Sequence, residues 1–196
     1  MKPTIETAEK KPSVSIMAHP SREDFFPYLR ERLGDVPMAI DRGVGIWENC
    51  KNAWRLHTDA EWHVVIQDDA IVCDDFYARA EAEIKKAEAL GCECVSFFFG
   101  NRKAMEREKA MGDKDGHVLM HWVSWGVAIA LRREHIEPMI AHGDGINIKQ
   151  DDTRIAKYVK MKNVLVYYPI PSLVDHRVGE SLVGDHPNRT AYRYAN

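Results

Sequence analysis

Two pairs of neighbouring carboxylates dominate the residues able to do chemistry: Asp68-Asp69, preceded by Gln67, and Asp151-Asp152. The first pair follows His63–Ile66, a short β-branched apolar run of the kind that forms a strand buried on both faces. Charges placed where such a strand ends are expensive unless a cation meets them. A divalent metal, itself bound to a polyphosphate, is the most economical partner for adjacent acidic oxygens. Two plainer readings stand beside that one. Gln67-Asp68-Asp69 could simply open a solvated loop, and Asp151 and Asp152 could be helix caps favoured by the helix dipole.

The elements that must position these acids alternate in type. Ser13–Ala18 reads as a strand ended by His19-Pro20. Ser21-Arg22-Glu23-Asp24 looks like the capping box of a helix over about Arg22–Leu33, with Pro27 pushing its regular part later. A strand at about Pro37–Ile40 ends at Asp41, Gly43 and Gly45 make a turn, and Trp47–Leu56 is a second helix. After the acid-bearing strand, Asp74 or Asp75 caps a third helix running to Leu90, and Gly91 closes it. Cys92–Phe99 is the next strand, with Cys92 and Cys94 expected on one face. His117–Val123 and Trp125–Leu131 are two more strands, Arg133–His142 a short helix, Asp151 to about Lys160 the last long helix, and Val164–Tyr168 a final strand. This pattern predicts an α/β fold, a single domain with a mostly parallel sheet flanked by helices and joined by right-handed crossovers.

Size and charge agree with one domain. The chain has 196 residues, 45% of them hydrophobic and 29% charged, which is ordinary globular composition with room for one full core. A net charge of −3 gives no global pull toward nucleic acid or anionic membrane. No apolar run reaches the length of a membrane span, and the polar start MKPTIETAEKK lacks the apolar centre of a secretory signal. Four cysteines without a CxxC pairing argue against a zinc site and suggest a reducing cytoplasm. The expected organisation is a flexible tail over 1–12, a domain over 13–177, and a tail over 178–196 that could close over the site.

In an open parallel sheet, ligands bind beyond the carboxyl ends of the strands. Those ends are His19-Pro20, Asp41, Gln67-Asp68-Asp69, Gly100-Asn101 and the loop before Asp151. Topology alone would bring two acid pairs, an asparagine and histidines to one rim. That is more than solvation requires and points to a metal and phosphate site.

At this level the chain resembles nucleotide-sugar glycosyltransferases of the GT-A fold. The resemblance is carried by Asn52-Ala53, Glu61-Trp62 and Gln67-Asp68-Asp69 as a variant of the Asp-x-Asp motif, by Asp151-Asp152-Thr153-Arg154-Ile155 at the start of the acceptor-side helix, and by His176 after the last strand. These occur in order across roughly 13–177. HPSR near the start with QDDAIVCDDF further resembles small bacterial and bacteriophage glycosyltransferase-like proteins, for which the compartment would be the host cytoplasm.

The resemblance implies a GT-A-like (Rossmann-like) domain that moves a sugar from a nucleotide-diphosphate sugar to an acceptor hydroxyl with a divalent metal, Mn²⁺ or Mg²⁺. Asp69 and His176 become the metal ligands, and an imidazole ligand favours Mn²⁺. Asp68 is auxiliary to them. Asp152 becomes the base that accepts the acceptor proton, giving inversion. Gln67 stands where the family has an acid facing the ribose, and an amide can still hydrogen-bond a hydroxyl. His19 and Arg22 are placed to meet the nucleotide or its phosphates, Asp41 its base edge, and Asn52 the same region. Trp122 and Trp125 could form a sugar platform by stacking, or belong to the core.

The acceptor is open: a glycan, a lipid-linked sugar, a protein hydroxyl, or a hydroxymethylated pyrimidine in phage DNA. For DNA, the basic residues Arg102, Lys103, Arg107, Lys109, Lys114, Arg132, Arg133, Arg177, Arg189 and Arg193 would track phosphates. A polar segment over 101–116 could equally be a flap over the donor or a solvated helix and loop. A reading of a different class is a non-catalytic nucleotide-sugar or glycan-binding protein with a degenerate site. A phosphatase or nucleotidyltransferase would need a nucleophile motif or phosphate loop that the chain lacks.

Overall fold

The computed structural model describes residues 11–100, 116–177 and 190–196. Seven strands form the main sheet in the order β2-β1-β3-β7-β5-β8-β6. They are β1 (Ser13–Ala18), β2 (Met38–Ile40), β3 (Trp62–Gln67), β5 (Cys94–Ser96), β6 (His117–Met120), β7 (Ala128–Arg132) and β8 (Val166–Pro169). The helices are α1 (Phe26–Leu33), α2 (Ile46–Trp54), α3 (Phe76–Ala89), α4 (Ile136–Asp144) and α5 (Asp151–Met161).

β1, β2, β3, β5 and β8 run one way. β7 lies antiparallel between β3 and β5, and β6 is antiparallel at the edge. The expected α/β architecture with a mostly parallel sheet is therefore present, with one central exception. Ala128–Leu131 is apolar throughout and buried on both faces. Such a run reads the same in either direction, so its polarity is set by pairing and not by pattern.

The sheet separates two apolar layers. Val64, Ile66, Ala128 and Ala130 face α1 and α3 through Leu29, Leu33, Phe76, Ala80 and Ile84. Val65, Ile129 and Leu131 face α2, α4 and α5 through Trp54, Met139, Ile155 and Tyr158. Fully burying one such aliphatic side chain is worth about 1.5–3 kcal/mol, so β3 and β7 make a rigid centre from which the rim projects. Cys92 and Cys94 do not share a face. The strand begins only at Cys94, and Cys92, in the turn after Gly91, packs in the opposite layer.

Two expected caps also differ. His19, not Ser21, caps the tight helical segment Pro20–Phe25, its Nδ1 accepting the Ser21 N–H at 3.2 Å. Pro27 falls in the first turn of α1, where its missing N–H costs nothing. Asp75 precedes α3 in the left-handed region (φ 55°) and makes no side-chain cap, while Asp74 pairs with Arg32.

A second, two-stranded sheet was not anticipated. β4 (Ala70–Val72) pairs antiparallel with β9 (Val174–His176), with Ala70 opposite His176. Residues 190–196 return to the main body through bridges Gly100–Ala191 and Ser172–Tyr194. Residues 1–10, 101–115 and 178–189, which include most of both expected tails and the expected flap, lie outside the described residues.

Candidate active site

β1 and β3 are parallel neighbours, so their carboxyl ends deliver His19 and Gln67-Asp68-Asp69 side by side. Asp68 and Asp69 are 4% and 7% exposed, which rules out the solvated-loop reading. Their charge is met by protein groups. Asp68 accepts the His19 backbone N–H at 2.5 Å and an Arg22 Nη1 proton at 2.7 Å. The same Nη1 reaches Asp69 Oδ2 at 2.5 Å. His176 Nε2 lies 3.1 Å from that Oδ2, because the β4–β9 pairing sets His176 beside the turn that carries Asp69.

Burial alone would raise the Asp69 carboxyl, but His176 and Arg22 outweigh it and hold it below its ordinary range. The Asp69 hydrogen bond in turn pushes the His176 imidazole up. Two atoms in this cluster are buried with no hydrogen-bond partner among the described residues, Asp69 Oδ1 and His176 Nδ1.

The pair fits a divalent ion. Adjacent ligands of an octahedral ion with bonds near 2.1 Å lie roughly 3 Å apart, the spacing that Oδ2 and Nε2 show, and Asp69 keeps a second acceptor oxygen in reserve. One imidazole and one carboxylate suit Mn²⁺ better than Mg²⁺.

Across the same cavity, of about 680 Å³, stands the first turn of α5. Successive helical residues point about 100° apart, and here that splits the acid pair. Asp151 turns inward against Cys50 and is 8% exposed. Burial, and then the neighbouring Asp152 charge, push its carboxyl up to about 6. Asp152 stays partly exposed and lines the cavity. Gly126 lies between Asp152 and Gln67: a Cβ there would come within 3.0 Å of Gln67 Nε2 and 3.4 Å of the Asp152 Cβ.

Most of the residues expected at the rim meet in this cavity: His19, Arg22, Asp41, Gln67, Asp68, Asp69, Asp152 and His176 all line it. Asp41 has a local duty as well, its Oδ1 accepting the Gly43, Val44 and Gly45 N–H groups. Asn52 is a correction. It is exposed on α2 and does not line the cavity. Its place is taken by Asn49, three residues and roughly 4.5 Å nearer the helix start. Asn49 is 2% exposed, donates to the Ala18 carbonyl at 3.0 Å, and keeps an Oδ1 with no partner among the described residues. The helix begins after Gly45, and that start places Asn49, not Asn52, in its first turn.

The two tryptophans also part company. Trp125 lines the cavity, while Trp122 is exposed elsewhere. Gly100, at another expected strand end, is bridged to Ala191 and is not in the cavity wall. Of the basic residues grouped for DNA, Arg132 sits opposite Trp62, at the far end of β3 from the acids, and Arg133 follows it. Arg102, Lys103, Arg107, Lys109, Lys114 and Arg189, with Asn101, lie outside the described residues.

No protein-family model matches the sequence, and no curated protein does. Solved structures do. The crystal structure of A197 from STIV aligns over 85% of this chain and 86% of its own, with a TM-score of 0.51 and 12% identity. The structure of GalNAc-T7 with UDP, GalNAc and Mn2+ aligns over 90% of this chain and 45% of its own, with a TM-score of 0.57 and 11% identity. The fold is GT-A-like. Identities this low carry the fold and nothing about the reaction, so the chemistry of this GT-A-like domain rests on its own residues. No helix among the described residues is long and apolar enough to cross a membrane.

Proposed function

We propose that this chain is a metal-dependent glycosyltransferase, transferring a sugar from a nucleotide-diphosphate sugar to an acceptor hydroxyl. One observation carries the reading: a single cavity at the strand ends sets the Asp69–His176 pair on one wall and Asp152 on another. The first wall suits a leaving diphosphate and the second an incoming hydroxyl. The GalNAc-T7 structure, a GT-A-like neighbour solved with UDP and Mn2+, supports the same class of donor and cofactor by analogy.

Asp69 and His176 would hold the divalent ion, which supplies Lewis-acid neutralisation of charge on the leaving diphosphate. Arg22 and the His19 segment meet phosphate oxygens, Gln67 bonds a ribose hydroxyl, and Asp41 keeps Oδ2 for the base edge. Asp152 takes the proton of the acceptor hydroxyl as its oxygen bonds to the anomeric carbon and the bond to the diphosphate breaks. Attack opposite the leaving group inverts the configuration. Trp125 offers the acceptor or sugar a flat apolar face. The acceptor is a glycan, protein or modified-DNA hydroxyl. A DNA acceptor predicts binding that weakens steeply with salt.

The test is a thermal-shift screen of nucleoside diphosphates and nucleotide-sugars with and without Mn²⁺, followed by turnover with the stabilising donor. The expected result is metal-dependent stabilisation by one nucleotide class, and turnover that Asp152→Asn removes while donor binding stays. Tight nucleotide binding with no turnover on any donor would instead identify a binding protein.

A further inference from the structure

The end of the sheet opposite the cavity carries a second cluster of metal-ligating groups. Glu93 leads into β5, while Glu134 and His135 lie in the turn Arg133–His135 between β7 and α4. Antiparallel pairing of β5 with β7 brings the two segments together, and the Arg132 N–H donates to the Glu93 carbonyl at 3.1 Å. One ligand atom from each of Glu93, Glu134 and His135 lies within 4.8 Å of the other two. Among the described residues no other three histidine, cysteine or acidic side chains meet so closely.

The imidazole sets this group apart from a patch of surface acids. Its Nδ1 lies 2.8 Å from the hydroxyl of Tyr158, a core side chain 1% exposed. Its Nε2 is buried and has no hydrogen-bond partner among the described residues. Glu93 Oε2 stands 3.3 Å from that nitrogen, yet out of line for a hydrogen bond. Two ligands of one tetrahedral zinc ion, with bonds near 2.0–2.1 Å, stand about 3.3 Å apart, each off the other's bonding axis. A ligating histidine commonly gives its other ring N–H to a fixed acceptor, and the Tyr158 oxygen is one. Neither Glu93 nor Glu134 pairs with a lysine or arginine among the described residues. Arg132, close by in sequence, is taken by Glu61 and Glu88. The two carboxylates therefore match the charge of one dication, and the neutral imidazole adds none.

We propose that Glu93, Glu134 and His135 form a site for a divalent ion of the kind that favours imidazole, Zn²⁺ foremost, with Tyr158 as the residue that orients His135. The site is separate from the cavity and independent of the reaction there. An ion held on it ties the turn after β7 to the start of β5. Because that geometry exists only in the folded chain, the ion stabilises the fold by mass action.

The experiment is calorimetric titration of the full chain with Zn²⁺ in an Asp69→Asn background, so that the cavity pair does not compete. Glu134→Gln and Tyr158→Phe are then added singly to that background, and also to wild type in case the background folds poorly. Glu134 is exposed, and phenylalanine keeps the Tyr158 ring in the core, so both substitutions spare the fold. The expected result is one Zn²⁺ per chain in the background, with a higher melting temperature when Zn²⁺ is present. Tyr158→Phe should weaken Zn²⁺ by roughly 10–100-fold, and Glu134→Gln by at least as much, with loss of the thermal shift. A background protein that binds no Zn²⁺, or an affinity that Glu134→Gln and Tyr158→Phe both leave unchanged, would overturn the site.

Discussion

Asp68-Asp69 and Asp151-Asp152 are the same dipeptide in two frames, and the frames make them chemically unlike. The first pair sits in the turn after a buried strand, where both carboxylates are enclosed and both reach one guanidinium. The second opens a helix, so its members diverge: both border the cavity, but Asp151 is buried against Cys50 while Asp152 is the more open of the two. One frame builds a shared anionic cup. The other makes one carboxylate accessible at the expense of its neighbour, and no ion pair to Asp151 is found among the described residues.

That contrast can be broken at several points. The largest effect is expected at Asp152, where Asp152→Asn should lower kcat by roughly 10²–10⁴-fold and leave nucleotide affinity intact. Asp69→Asn should instead abolish the metal-dependent thermal shift. If both variants failed in the same way, the two pairs would not have separate roles.

Next is stability at Asp151. Burial, and then the Asp152 charge, push its carboxyl up to about 6 in the folded state, from an ordinary value of 3.8. The folded state then holds the proton more tightly, so this group's stabilising contribution is complete below pH 3.8 and is lost as pH rises to about 6. That difference corresponds to up to about 3 kcal/mol. Asp151→Asn should remove that fall, a difference read by urea unfolding at pH 4.5 and 7.5. Equal slopes in the two proteins would mean that Asp151 is as solvated as its neighbour.

A smaller effect is expected where the two walls meet. Gly126→Ala puts a methyl group against the Gln67 amide, which can shift aside but not without leaving its place. Donor KM should rise about tenfold, or about 1.4 kcal/mol, with kcat little changed. Least of all, Asn52→Ala should stay within about 0.5 kcal/mol in stability and leave donor KM unchanged, since Asn52 is exposed and outside the cavity.

Much of this was legible in the sequence, for identifiable reasons. β3 and its acids could be read because a β-branched run before charged residues has few other uses. The rim followed from strand ends, a consequence of α/β topology that needs no coordinates. What failed was phase and direction. Asn52 and Asn49 differ by one helical turn, and the difference hangs on where α2 starts. The direction of β7 is invisible in a run apolar on both faces. The opposed facing of Cys92 and Cys94 turns on a strand beginning two residues late. Arg22 was placed near the phosphates, but its bridge across both carboxylates depends on side-chain reach that spacing does not encode. His176 came from resemblance alone, since the pairing that seats it joins segments with most of the fold between them.

That pairing has a consequence for how the molecule is made. β4 is made well before β9, and the central strands β1, β3, β7 and β5 are all complete before β9 exists. A nascent chain can therefore assemble much of its core and still lack the imidazole of its acidic centre. Termination anywhere before residue 174 would leave Asp69 without His176, even where the sheet survives. The Asp69–His176 pair thus forms only after the central strands have been made, and a product truncated before β9 would lose the pair without having to be unfolded.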